Sequence, residues 1–241
     1  MEYDGTDFCG YQTQGQGERT VQSVLEETLR RLSPRETIAI NAAGRTDTGV
    51  HALGQVISFE TANGLPLERW AIALNSLLPR DLAVAHAEEA PPGFHARFAA
   101  RRRTYGYLIW TRRTRSAIWN RYSLHWRRVL DVDAMRAGAR LLIGAHDFAA
   151  FARAGGNPGM TTVRDLGRLS VRRVSGGLLV TATANGFLRS MVRNLVGALL
   201  AVGVGDLSPA ALTDILESRD RSLNPVPPAA PHGLCLMRVD Y

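Results

Sequence analysis

Two strand-like runs, residues 166–174 and 178–184, are separated only by Ser175-Gly176-Gly177, and no other feature limits the fold so sharply. So short a Gly-rich connection makes the runs a hairpin, with neighbouring strands antiparallel. A parallel pair would need a crossover of roughly a dozen residues or more. Helical periodicity is equally plain elsewhere. At 21–32, Val21, Val24, Leu25, Thr28, Leu29 and Leu32 share one face. Similar patterns span about 67–78, 132–143 and 187–204, and a shorter helix follows Ser208-Pro209, where Ser caps and Pro takes the first position. Further strand-like runs lie at 37–42, 55–59, 82–86, 104–110 and 234–239. Helices mixed with hairpin-linked strands predict an α+β fold rather than a doubly wound parallel one. Two Gly/Pro stretches, 152–159 and 224–233, read as flexible, and the chain divides near 97–104 into halves of similar content.

The formal net charge is +7, and all 29 basic residues are Arg. Guanidinium groups offer planar bidentate contacts to phosphate and stack on bases, so the excess favours a polyanionic partner, nucleic acid first. The clusters Arg101–Arg103, Arg112-Arg113-Arg115 and Arg127-Arg128 are candidate phosphate contacts. No apolar run reaches the roughly 18 residues of a membrane span. The N-terminus also lacks the basic and apolar regions of a signal peptide, which predicts a cytoplasmic protein. Cys9 and Cys235 are too few for a disulfide framework or a structural zinc site. His51 and His146 lack Cys or acidic partners at ligand spacing, so no metal is expected there.

Between two strand-like runs lies Ala42-Ala-Gly-Arg-Thr-Asp-Thr-Gly-Val-His-Ala52. Gly44 and Gly49 permit unusual backbone angles and close approach of a substrate. Between them stand the cation Arg45, the hydroxyls of Thr46 and Thr48, and the single carboxylate Asp47. A Gly-flanked turn capped by Asp would look the same, but loops on rigid strands also carry function. A second signal comes from 187–204, which is apolar almost all round. On a helix starting at Phe187, positions 189, 193, 196 and 200 form one stripe, here Arg, Arg, Val and Leu. Arg189 and Arg193 would then oppose the helix dipole and point into something other than bulk water, where an Arg needs a carboxylate or phosphate.

The segment Gly44-Arg-Thr-Asp-Thr-Gly-Val-His-Ala52 resembles the signature of the TruA-type tRNA pseudouridine synthases. Other segments similar to that family follow in order along nearly the whole chain. They are Tyr3-Asp-Gly-Thr-Asp-Phe8 with Gly10-Tyr-Gln12, Phe94-His-Ala-Arg97, Arg103-Thr-Tyr-Gly-Tyr107 and His146-Asp-Phe148. Beyond these come Thr162-Val-Arg164, Asn185-Gly-Phe-Leu-Arg-Ser-Met-Val-Arg-Asn194 and His232-Gly-Leu234. The resemblance implies a pseudouridine synthase fold, with two similar α+β halves sharing a mainly antiparallel sheet flanked by helices and an active-site cleft between them. The halves would be 1–103, carrying the catalytic Asp loop, and 104–241, carrying the Tyr and Arg that complete the cleft. It implies a homodimer that binds tRNA and converts uridines 38 to 40 of the anticodon arm to pseudouridine, without metal or organic cofactor.

That reaction breaks N1–C1′, turns the uracil and rejoins it through C5, so it needs a nucleophile that can leave again. By resemblance Asp47 is that carboxylate. Attack at C1′ or at C6 of the base, or stabilisation of a cationic sugar, all fit the sequence. The uridine must be flipped out at a cost of about a few kcal/mol. Arg45 is the family candidate for filling the gap, and Tyr105 for stacking on the uracil, although a Tyr in a strand is ordinarily packed. Arg193 paired with Asp47 would keep the carboxylate ionised. Arg189 is left to a phosphate or to the surface, and His51 to supporting the loop beside the substrate. A glycoside or nucleoside hydrolase would need a second carboxylate where this loop has an Arg. A non-catalytic RNA-binding module would have no need of Asp47. Two departures stand out. The Tyr3 motif begins almost at once where the family has several residues of apolar strand, so either the true N-terminus is longer or the first strand is truncated and the N-terminal half weakened. Gly106 within 104–110 predicts a bulge or a close backbone approach.

Overall fold

The computed structural model of the chain describes residues 1–13, 15, 17–153 and 161–241. The chain forms two compact units, 1–100 together with 236–241, and 101–235. In both, mostly antiparallel strands are flanked by helices, as an α+β fold requires.

Unit 1 contains β1 (Glu2–Tyr3), α1 (Val21–Leu32), β2 (Asn41–Ala42), β3 (His51–Ala52), β4 (Ile57–Ser58), α2 (Leu67–Leu77) and β5 (Leu82–Ala83). β1 pairs antiparallel with β3 and β5, and β2 pairs antiparallel with β4. α1 has the predicted bounds and buries Val21, Leu25, Thr28 and Leu29. Its start is fixed by a capping box, in which Thr20 Oγ1 accepts from the Ser23 amide and Ser23 Oγ from the Thr20 amide. Thr20 is fully buried, so Thr20→Ala should lower stability by about 1–2 kcal/mol, read from the denaturant midpoint. Leu29 meets Trp70, Leu74 and Val84 in a core that also takes in Met1, Ile38, Ile40 and Phe59. The first strand is indeed short, yet the Met1 ammonium donates to the Gln55 carbonyl at 2.8 Å.

Unit 2 contains β6 (Arg102–Trp110), β7 (Leu124–His125), α3 (Val132–Leu141), β8 (Gly144–Asp147), β9 (Val163–Val174), β10 (Gly177–Ala184), α4 (Met191–Gly203) and α5 (Ala211–Ser218). Its strand order is β6-β10-β9-β8, all antiparallel, with β7 parallel on β6. The expected hairpin joins β9 to β10, and Gly176 adopts φ 84° at its turn. The ladder with β10 runs through Gly106 without a bulge. The irregularity falls instead between Thr183 and Ala184 on β10, opposite β9. One sheet face carries Tyr105, Ala182 and Leu169 in register, then Tyr107, Val180 and Val171, all buried. α3 and α4 lie close because Gly203 spares a methyl that would stand 2.8 Å from the Met135 sulfur. β11 (Leu234–Asp240) ends the chain, and its unit 1 residues lie beside β3, with Leu53 and Gly54 amides donating to the Leu236 carbonyl.

Three sequence expectations need correction. α4 begins at Met191 rather than Phe187, because Ser190 turns left-handed at φ 57° and the Arg189 carbonyl accepts the Arg153 amide instead of a helical one. The early strands are shorter than expected because side chains replace ladder bonds. Asn75, for instance, bonds both the amide and the carbonyl of Val84. The Pro-rich stretch 224–233 is packed on α4, where a methyl on Gly197 would meet the Pro227 carbonyl at 2.3 Å. The Gly/Pro stretch 152–159 lies, beyond Arg153, outside the described residues. No helix among the described residues is long and apolar enough to cross a membrane.

Candidate active site

In unit 1 the Asp47 loop is held at each end by its own backbone. The Val50 amide donates to the Asp47 carbonyl at 3.1 Å, closing a turn in which Gly49 takes φ 74°. A positive φ at the third residue is the type II geometry that favours glycine. Asp47 is half-buried, with Thr46 beneath the surface at 7% exposure and Thr48 outside. Gly10 backs onto this loop at φ 90°, a conformation that favours glycine, and an added Cβ would lie tightly against it, 3.0 Å from the Thr46 oxygen and 3.2 Å from the Thr48 nitrogen. The next amide, Tyr11, donates to the Thr46 carbonyl at 3.0 Å, and the Gly10 and Tyr11 carbonyls accept from Val21 and Gln22 at the start of α1. The loop is therefore tied to the capped end of α1.

His51 sits at the far end of the loop, 5% exposed. Its Nδ1 accepts the Gly5 amide at 3.0 Å and lies 3.1 Å from Asp4 Oδ1. Nδ1 therefore faces both a backbone amide and a carboxylate oxygen. Asp4 Oδ1 already takes the Thr6 amide and hydroxyl. His51 thus joins the end of the loop to Asp4 and Gly5 within unit 1. Tyr3 Oη stands 2.9 Å from Thr46 Oγ1, and Gln55 Nε2 donates to the Gly44 carbonyl at 2.8 Å and towards Tyr3 Oη at 3.4 Å. Neither Tyr3 nor Gln55 was given a role by the sequence. A polar Gln55 at the head of the apolar run 55–59 was the available signal.

Arg45 is exposed. Partial desolvation and the nearby Arg97 guanidinium lower its pKa, with Tyr11 opposing. Two like charges so placed form a local positive field suited to phosphate. Arg97 belongs to the 94–97 motif, whose Phe94 packs on Tyr241 at 5.1 Å while Tyr241 Oη donates to the Ala96 carbonyl.

In unit 2, Tyr105 is 8% exposed on β6 and meets Phe187 edge-on at 5.2 Å. Arg193 is half-buried in the first turn of α4. Its Nε donates to the Ala229 carbonyl at 2.8 Å, and its own carbonyl accepts the Ala229 amide. Burial pushes the neighbouring Tyr107 phenol well above the usual range, and the Arg193 charge opposes this. Arg189 lies before the helix and is exposed, so the predicted stripe of Arg189 with Arg193 does not form. His146 bonds the Ile143 carbonyl and packs against Phe148. Of the Arg clusters, Arg103 donates to the Asn185 carbonyl, Arg112 stacks 4.8 Å over Trp110, and Arg128 pairs with Asp206 at 3.0 Å. Arg101, Arg102, Arg113, Arg115 and Arg127 are exposed.

A family model described as tRNA pseudouridine synthase matches residues 1–99 and 139–241, leaving Tyr105 in the interval between the matched stretches. The chain is 44% identical over 243 residues to the tRNA pseudouridine synthase A of Moorella thermoacetica, covering 100% of this chain and 97% of that protein. It is 43% and 41% identical to the enzymes of the same name from Bacillus subtilis and Geotalea daltonii, with the same coverage. A site loop built as described, under a family match over most of its length and relatives alike from end to end, places this chain in the tRNA pseudouridine synthase family.

Proposed function

We propose that the chain isomerises uridine to pseudouridine in the anticodon stem-loop of tRNA, at positions 38, 39 and 40, with Asp47 as nucleophile. The observation that carries this reading is a half-buried carboxylate on a loop whose backbone is held from both sides, within a chain of this family. The N1–C1′ bond breaks, a C5–C1′ bond forms, the C5 proton leaves to solvent and N1 gains one. Nothing is oxidised or hydrolysed, so the side chains suffice without metal or organic cofactor. A carboxylate can add and leave again, which the sequence of steps requires. Arg45 fills the space left by the flipped nucleotide, Tyr105 stacks on the uracil, and Arg193 supplies a cation to the reacting centre. His51 acts through the loop, and the exposed Arg189 serves the phosphate backbone. The working form is a homodimer in the cytoplasm.

The test is tritium release from tRNA labelled at uracil C5, with no cofactor added. Release from anticodon-arm substrates, with pseudouridine mapped at 38 to 40, is the expected result. A folded protein that binds mixed tRNAs and releases no tritium would instead be an RNA-binding module.

A further inference from the structure

We propose that Tyr3, Thr46 and Gln55 form a buried hydrogen-bonded relay that sets the direction of the Asp47 carboxylate, making them positioning residues for the isomerisation. This rests on the reading of Asp47 as nucleophile. The three side chains are 4%, 7% and 0% exposed. Gln55 is the anchor. Its Oε1 accepts the Val56 amide at 3.2 Å, which fixes the orientation of the side-chain amide and turns Nε2 towards the loop. From there Nε2 donates to the Gly44 carbonyl at 2.8 Å and to Tyr3 Oη at 3.4 Å. The Tyr3 hydroxyl in turn shares a hydrogen bond with Thr46 Oγ1 at 2.9 Å, in which either oxygen can donate.

Two of these bonds end on residues 44–46, the stretch entering Asp47, one at the Gly44 carbonyl and one at the Thr46 hydroxyl. The Tyr11 amide holds the Thr46 carbonyl from the other side, so both the side chain and the backbone oxygen of the residue preceding the carboxylate are fixed. Stability alone does not call for this arrangement. A buried hydrogen bond has a net worth of only about 1 kcal/mol, and apolar side chains of the same shape would fill the space at little cost. A reacting carboxylate does call for it, since a displacement of about 1 Å can slow a reaction by about 100-fold.

The experiment compares single-turnover tritium release at saturating protein, tRNA affinity and denaturant midpoint for Tyr3→Phe, Thr46→Val, Thr46→Ser and the double Tyr3→Phe/Thr46→Val, with Asp47→Asn alongside. Tyr3→Phe and Thr46→Val should each slow release by about 10- to 100-fold at unchanged affinity. Thr46→Ser, which keeps the hydroxyl, should restore the rate, and the double variant should be no slower than the slower single one. If Thr46→Val does not fold, Tyr3→Phe, which removes one oxygen and keeps the ring, decides alone. Wild-type rates in Tyr3→Phe and Thr46→Val beside an inactive Asp47→Asn would overturn the relay and leave the nucleophile standing. A fall in rate matched by an equal fall in affinity would overturn it too. An active Asp47→Asn would overturn the nucleophile itself, and with it this proposal.

Discussion

Asp47→Asn is expected to lose turnover by about 10⁴-fold or more, the scale on which removal of a catalytic nucleophile is felt. The amide has the shape of the carboxylate but neither its charge nor its capacity to add to carbon and leave. The turn should keep its shape. Asp47 supports its turn through the backbone carbonyl that accepts the Val50 amide, which Asn retains, and the neighbouring Thr46 is held by Tyr3 and Tyr11. Affinity for tRNA should hold or rise slightly, because a negative charge is removed from a site that receives a polyanion. Single-turnover release and a binding titration at one salt concentration check both halves. An Asn variant that still turns over would remove Asp47 from the mechanism, and one that no longer binds would make it a structural or binding residue.

That split, chemistry lost and structure kept, mirrors what could be read from the chain. α1, α2 and α3 follow directly from apolar residues recurring at helical spacing, and the β9–β10 hairpin follows from Ser175-Gly176-Gly177. The start of α4 does not. Phe187 and Leu188 continue the apolar pattern of the helix, whereas the stop is a left-handed Ser190, a backbone property that periodicity does not register. Unit 1 strands were overextended for a related reason. Residue Val84 satisfies its backbone with Asn75 of α2, so extended chain is stabilised there without a ladder. Around the site, the Asp47 loop was legible because glycines, hydroxyls, cation and carboxylate sit within six residues, and because the family resemblance gave them roles. The pairings that hold it were not. Tyr3 reaches Thr46 across 43 positions and His51 reaches Gly5 across 46, pairings that only the folded chain makes visible.

One residue of those pairings should be the most sensitive single backbone position in unit 1. Gly5→Ala would place a Cβ 2.1 Å from the Val50 carbonyl oxygen and 2.5 Å from its carbon, both backbone atoms that no rotamer can move aside. Either the 5–7 turn or the loop from Asp47 to His51 has to shift, and the Gly5 amide that holds His51 Nδ1 shifts with it. Overpacking of this kind costs about 3 kcal/mol, the upper part of its usual range. Displacement of the loop by even a fraction of that gap should slow single-turnover release by about 100-fold in the molecules that remain folded. Gly64→Ala is the control, because an added methyl there meets nothing within 4 Å. It removes freedom from the unfolded chain and should leave stability equal or slightly higher, by a few tenths of a kcal/mol up to about 1. Denaturant midpoints and release rates for the two variants, taken side by side, separate the effects. Equal midpoints for Gly5→Ala and Gly64→Ala would mean that the loop yields to the methyl, and that Asp47 is held less firmly than its backbone partners require.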